Sequence, residues 1–298
     1  MEMKELKTKY DEILKKVYIE RDGPFYMGDF PYSEKYPLYL KRSLLTNIMK
    51  CMSSSTKRAY REAKEITEEN GIPPKFLSVG SSASFCFISL NIDEDSNPKE
   101  GADFFAEEGD TIKKVTFEKK LPILNDLNDI SPHMDAYAKG DNREYFFECE
   151  CNEMFDEHPI VLSKKYFATS MNLIVDFIPK KYLKEKEGNY EVSTLLFGLT
   201  NPVFDIKKFL IHLMEIRCNQ KKPKSSLIYY YCFPSREAVD NEEIVNLCYR
   251  LLNETKTVFS SPIIKKYCDK TGIKLSLYLY KKGPSEYAAS SSNTSKVI

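Results

Sequence analysis

Between His133 and Phe155 the chain reads HMDAYAKGDNREYFFECECNEMF. An aspartate is followed by a turn-like stretch, then by two glutamates flanking one cysteine at the end of an apolar run. If PHMDAYA and EYFFECEC are antiparallel neighbours joined by a two-residue loop at Asp141-Asn142, residue i pairs with 283 − i and Asp135 lies opposite Glu148. Cross-strand partners have Cβ atoms about 4.5–5.5 Å apart. Glu150, two positions on, projects from the face of Glu148, while Phe147, Cys149 and Cys151 turn to the other. Carboxylates this close repel by about 4 kcal/mol per pair at ~4 Å with an effective dielectric near ~20. Protons or a cation must relieve that cost. Oxygen donors suit a hard divalent ion, Mg²⁺ or Mn²⁺ first and Ca²⁺ next, with the carbonyl of Cys149 as a further ligand. Such an ion lowers the pKa of a bound water and steadies the charge growing on a phosphate in an in-line displacement.

An aspartate, about a dozen residues, then Glu-x-Lys on the next strand is the pattern of the PD-(D/E)XK restriction-endonuclease-like superfamily, which this hairpin resembles. Twelve residues separate Asp135 from Glu148. A subgroup of putative restriction endonucleases is similar in two further ways, a serine-serine box in an upstream helix (GSSASFCFISL, with Ser81 and Ser82) and an acid soon after the Glu-x-Lys (here Glu153). The resemblance covers residues 75–235 and its motifs are short. Two positions depart from it. Glu150 stands where the lysine belongs, and Gly80 where a histidine often precedes the serine pair. The resemblance implies a metal-dependent endonuclease hydrolysing phosphodiester bonds in DNA, with Asp135 and Glu148 binding Mg²⁺ and Glu150 as ligand or base. Glu153 would be an outer or second-metal ligand. A trio of acids at about −3, rather than −1 with a lysine, implies stronger dependence on divalent cations, unless Lys164 or Lys165 restores the missing charge. The alternative is a catalytically inactive nuclease-like module that binds nucleic acid or protein. A charged hairpin with no role beyond solubility is the bland third reading.

Other chemistry-bearing residues have ordinary explanations. Cys149 and Cys151 with His158 lack the second pair that zinc layouts use, so buried thiols are expected. His133 could touch a phosphate, but a hydrogen-bonded strand histidine is commoner, and His212 in FLIHLMEI reads as a core residue. Ser81 and Ser82 are best read as an N-cap, although a helix N-terminus can also hold a phosphate. CNQKKPKSS (218–226) is the strongest basic patch and Lys281-Lys282 the next; either could track a nucleic-acid backbone, with solvated loops the default. No phosphate-binding glycine loop or serine-hydrolase elbow occurs.

The elements that must position these residues alternate. Helical pattern runs from about Leu38 to Asn70, with serines in front and Gly71 as a stop. SSASFCFISLNI is a strand or a buried helix by periodicity, its leading serines favouring the helix. From about Asp110 to Phe155 the pattern is of strands, and helical spacing returns in LSKKYFATSMNLIVDFI and DIKKFLIHLMEIRCNQ. SSLIYYYCF is a central strand, NEEIVNLCYRLLNE and SPIIKKYCDKTG are helices, and IKLSLYLYKK is a strand. The organisation expected is a helical extension at 1–74, an α/β core at 75–282 with a restriction-endonuclease-like mixed sheet flanked by helices, and a disordered tail at 283–298.

Composition sets outer bounds. With 298 residues, 42% hydrophobic, the chain can bury an ordinary core. Net charge is zero and only eight arginines are present, so phosphate contact is favoured over dense base readout in any DNA complex. The longest apolar run, LIYYYCF, is too short for a bilayer. Eight scattered cysteines and no secretory pattern at the first residues point to reduced thiols and a cytoplasmic protein.

Overall fold

The computed structural model describes residues 3–18, 35, 39–40, 42–90, 104–123, 133–155, 158–169, 171–234, 236–282 and 294–298. The Pro/Gly/Tyr-rich connection DGPFYMGDFPYSEKYP and residues 283–293 of the expected tail fall almost entirely outside these. In chain order the elements are helices α1 (Met3–Tyr18), α2 (Arg42–Lys50), α3 (Ser54–Glu62) and α4 (Ser82–Leu90), then strands β1 (Ile112–Lys119), β2 (Met134–Gly140) and β3 (Glu144–Glu150). Strand β4 (Val161–Ser163), the short helix α5 (Lys164–Phe167) and strands β5 (Leu183–Lys186) and β6 (Asn189–Val192) follow. The chain continues with α6 (Ile206–Asn219), β7 (Ser225–Pro234), α7 (Glu242–Ser260), α8 (Pro262–Thr271), β8 (Ile273–Lys282) and β9 (Thr294–Lys296).

The protein is a mixed α/β structure. Its main sheet has six strands in the order β1-β2-β3-β7-β8-β9, and β4-β6-β5 form a separate three-stranded sheet. β1, β2 and β3 pair antiparallel, β3-β7 and β7-β8 parallel, and β9 returns antiparallel. β7 is central and all ten of its residues are buried, as a strand covered on both faces requires. Side-chain alternation then sorts the core into two layers. Phe146, Leu227, Tyr229 and Tyr231 face α1, α6, α7 and α8, whereas Tyr145, Phe147, Ile228 and Tyr230 face α2, α3 and α4. The sheet is thus sandwiched between helical layers, and no helix among the described residues is long and apolar enough to cross a membrane.

Three stretches differ from the reading of the sequence. LSKKYFATSMNLIVDFI is no continuous helix; it divides into β4, α5 and a short 3₁₀ turn at Ile174–Phe177. Asn172, with φ +53°, breaks it in the left-handed region, where asparagine is tolerated better than most residues. The helical stretch before Gly71 ends early, α3 stopping at Glu62 ahead of Lys64 at φ +63°. In the expected disordered tail, Thr294–Lys296 instead adds a strand to the edge of β8.

The N-terminal segment packs into the body of the fold. Leu6, Tyr10, Ile13 and Leu14 of α1 are buried in the layer beneath β3 and β7. Tyr10 donates its hydroxyl to the carbonyls of Cys151 (2.7 Å) and Cys232 (3.3 Å), tying α1 to the carboxyl ends of both strands.

Candidate active site

The β2–β3 hairpin turns through Asp141-Asn142, with the Gly140 N–H donating to the Arg143 carbonyl. Its register runs from Lys139↔Glu144 to Ala136↔Phe147, the pairing that brings Asp135 across from Glu148. Cys149 donates its backbone N–H to Asp135 Oδ2 at 2.7 Å, so the aspartate caps the end of this ladder. In the parallel direction Glu148 pairs with Tyr229 and Glu150 with Tyr231, two fully buried residues. The acids therefore stand at the carboxyl edge of the parallel pair, where α/β sheets place their ligands.

The cation that relieves these acids comes from α6. Lys208 forms an ion pair with Glu148 Oε1 and lies 3.9 Å from Glu150 Oε1. Asp205 caps the helix by accepting the Lys208 N–H at 2.8 Å, which puts the lysine in the first turn. A cation is unfavourable at that end of the helix dipole. Carboxylates outweigh both this and burial: the ammonium is held well above the usual lysine range by Glu148, Glu150, Asp135 and Glu153, in that order. One helical turn on, His212 Nε2 lies 3.0 Å from Glu148 Oε2, while its Nδ1 bonds Glu215 Oε2 at 2.6 Å. Burial alone would lower the imidazole, yet Glu148 and Glu215 raise it to about 9.

The carboxyls respond unequally. Burial pushes Glu148 up, but Lys208 and His212 overcome it and hold the group below the usual range. Asp135 is raised well above its ordinary value by burial and then by Glu148, with Lys208 opposing. Glu150 is raised well above its own by burial and then by Glu153, again against Lys208. Glu153 accepts the N–H groups of Cys151 and Asn152 at 2.8 Å each, and burial still raises it. Glu148, Glu150, His212 and Glu215 expose 2% of their surface or less, whereas the Lys208 side chain keeps 26% in solvent and marks the way in.

The carboxyls are oxygen donors of the type a hard divalent ion takes. Five carboxyl groups meet two cationic side chains, and both oxygens of Glu148 with Oε1 of Glu150 are buried without an aligned hydrogen bond. The arrangement is nevertheless closed on Lys208, and among the described residues no group of three or more His, Cys, Asp or Glu side chains is set to hold an ion.

The remaining candidates are elsewhere. Lys164 and Lys165 do not supply the missing charge: Lys164 pairs with Glu185 of β5 and lies over the Tyr190 ring, and Lys165 is exposed on α5. Cys149 meets Asp135 through its amide, and its thiol is buried on the opposite layer with Cys151. Ser81 is the N-cap of α4, its Oγ accepting the Ser84 N–H at 3.1 Å, and Ser82 opens the helix. A Cβ at Gly80 would meet the Asn152 amide at 2.6 Å, so a histidine there would have to displace Asn152. His133 pairs with Glu118 (3.3 Å), and His158 joins Asp205 (3.2 Å) to the Glu153 carbonyl (3.1 Å). The 218–226 patch lies at the amino end of β7, where Lys221 and Lys222 donate backbone N–H groups to Glu144 Oε2 at 2.8 and 3.1 Å. Glu144 and Glu150 are six positions, about 20 Å, apart along the strand. Lys281 and Lys282 instead end β8 on the acidic edge of the sheet.

Comparison of the chain with protein-family models, curated proteins and solved structures finds no match.

Proposed function

We propose that the protein is a restriction-endonuclease-like hydrolase that cleaves phosphodiester bonds in DNA with Mg²⁺ or Mn²⁺. Asp135, Glu148 and Glu150 supply oxygens to the ion, and Lys208 takes the part of the lysine that Glu150 replaces. One observation carries the reading: a lysine distant in sequence pairs its ammonium with Glu148 and brings it to 3.9 Å from Glu150, with Asp135 and Glu153 adding to the field that favours its charge. A bare acidic edge would leave these groups to water, and a core would not assemble them at all. A bound ion would supply a more acidic water and Lewis-acid stabilisation of the phosphate. Lys208 offers charge to a non-bridging phosphate oxygen, and Glu150, with its raised carboxyl, is placed to take a proton from the attacking water. Eight free cysteines suit a reducing cytoplasm.

The test is plasmid cleavage under Mg²⁺ and Mn²⁺ by the wild type, Glu148→Gln and Lys208→Met. Metal-dependent nicking lost in both variants supports the reading, and cleavage unchanged in both refutes it. A second reading, a silent module that binds nucleic acid, is favoured by Glu148 alone: Lys208 and His212 occupy its two oxygens in a fully buried position. Salt-sensitive DNA binding without cleavage under either metal would select it.

A further inference from the structure

A groove of about 650 Å³ that shares no residue with the acidic cluster lies between the 3₁₀ turn at Ile174–Phe177, the turn at Thr194–Phe197 and helix α8. Phe177, Pro179, Leu196, Pro262 and Ile263 make its apolar floor. All of its lining residues are half-buried or exposed, so it is an open groove and not an enclosed cavity. Proline rings fix φ at two of these positions, and the Phe177 ring packs on Tyr267 at 5.4 Å and 84°, so the floor is preformed. Met171 and Leu195, each next in the chain to a lining residue, expose 43% and 64% of their surface. Apolar surface gathered around a concavity and rimmed by charge marks an interaction site. That rim is basic. Lys266 and Lys270, one turn apart on α8, bring their ammoniums to 5.9 and 5.2 Å from the centre of the Phe177 ring. Lys270 also donates to Asn172 Oδ1 at 3.0 Å, a neutral partner. Among the described residues no carboxylate forms an ion pair with either lysine. Asp176 is the acid of the lining and Asp269 precedes Lys270; Lys180, Lys181 and Lys265, all exposed at adjoining positions, leave cations in excess.

We propose that this groove docks a segment of a partner protein in which leucine-like side chains are interspersed with aspartate and glutamate. The leucines cover Phe177, Leu196 and Ile263, and the carboxylates meet Lys266 and Lys270, whose charges have no carboxylate of their own. A small ligand would leave too much of its surface in water here, since small-molecule sites bury about 70–90% of it. A single nucleic-acid strand needs open aromatic faces on which its bases stack. Phe177, the aromatic ring of the lining, is already faced by two ammoniums and packed against Tyr267, so it offers no such platform. Exposed rim charges select a partner and speed its arrival more than they hold it, so both the apolar floor and the lysines are needed for specific docking.

The experiment titrates the full chain into a short fluorescein-labelled peptide of leucines set among aspartates and glutamates, and reads anisotropy. Binding is expected with a Kd on the order of 100 μM or below. A counterpart with alanine at every leucine keeps the charge and loses the apolar contact, so it should bind at least about ten-fold more weakly. Lys266→Glu combined with Lys270→Glu should weaken the acidic peptide by about ten-fold or more, and should gain affinity for a counterpart with lysine at every acid. Ile263→Ser should weaken the acidic peptide by about five-fold. Should that variant not fold, the alanine peptide makes the same comparison on the wild type. Failure of the acidic peptide to bind at about 1 mM overturns the proposal, as does equal binding by the charge-reversed variant or by the alanine peptide. Two other occupants would also overturn it. One is nucleic acid, shown by a single-stranded oligothymidylate that binds through Lys266 and Lys270 when the peptide does not. The other is a second copy of the chain, shown by a dimer in sedimentation that Ile263→Ser dissociates.

Discussion

Replacing Lys208 by methionine keeps the length of the stem and deletes the charge at the centre of the acids. The Lys208–Glu150 approach of 3.9 Å corresponds to about 4 kcal/mol of attraction at an effective dielectric near ~20. Glu148 is closer still and adds to it. Desolvation of the ammonium offsets part of this, although 26% of the side chain stays in water. Breaking one partner out of a buried ion pair costs about 3–5 kcal/mol, and the partial exposure places Lys208→Met near the lower figure, about 3 kcal/mol at pH 7. Two linked effects distinguish this from lost packing. Asp135, Glu150 and Glu153 have folded-state pKa values above their unfolded ones, and removing Lys208 raises them further. A carboxyl raised on folding costs stability above its unfolded pKa, and the cost disappears as pH falls through the folded value. The deficit should therefore be larger at pH 8 than near pH 5. If the proposed metal reading holds, excess Mn²⁺ should also stabilise the variant more than the wild type. Urea unfolding of both proteins at the two pH values, with EDTA or with Mn²⁺, measures every term. A deficit below about 1 kcal/mol at pH 7, or one that grows as pH falls, would refute the electrostatic account.

Further outcomes follow from individual contacts. His212 rises from the ordinary 6.5 to about 9 on folding, so its contribution of about 3 kcal/mol is complete below pH 6.5 and fades as pH climbs through 9. Unfolding free energy should thus decline between neutral and alkaline pH in the wild type, and His212→Gln should lose that decline. Tyr10→Phe leaves the Cys151 and Cys232 carbonyls without their shared donor and should cost about 1–2 kcal/mol in urea unfolding. Lys221→Ala with Lys224→Ala, at the far end of the sheet from the acids, should leave DNA affinity and its salt slope unchanged in a filter or fluorescence titration.

Much of the fold was legible because its signals are local. The hairpin register followed from a two-residue turn flanked by strand patterns, and the alternation that set Glu148 against Phe147 is a property of any strand. SSLIYYYCF is aromatic and aliphatic after its two serines because both of its faces are covered, a condition a central strand meets. The small sheet was not legible in the same way. LSKKYFATSMNLIVDFI carries helical spacing, but Asn172 turns left-handed, and β4 and β6 pair across intervening turns. Long-range pairing overrode local pattern there. The strand at Thr294–Lys296 is a further case, three polar residues paired to the edge of β8.

The acids could be found by adjacency, and the cation could not. Glu-x-Lys is a motif because strand geometry brings alternate residues to one face; Lys208, 58 positions beyond Glu150, meets the same acids from a helix. What the sequence does carry is a stripe. Lys208, His212 and Glu215 fall at i, i+4 and i+7, which is one face of a helix, within an otherwise apolar run. Read alone, His212 in FLIHLMEI is a core histidine, and its burial agrees. Read with its neighbours, the stripe puts an ammonium, an imidazole and a carboxylate on the side that packs against the sheet. Burying three ionisable groups on an apolar helix face is costly unless something opposite pairs with them. The acids that do so include Glu148 and Glu150 at the carboxyl end of β3, and the charge deficit of the hairpin is the surplus of the helix.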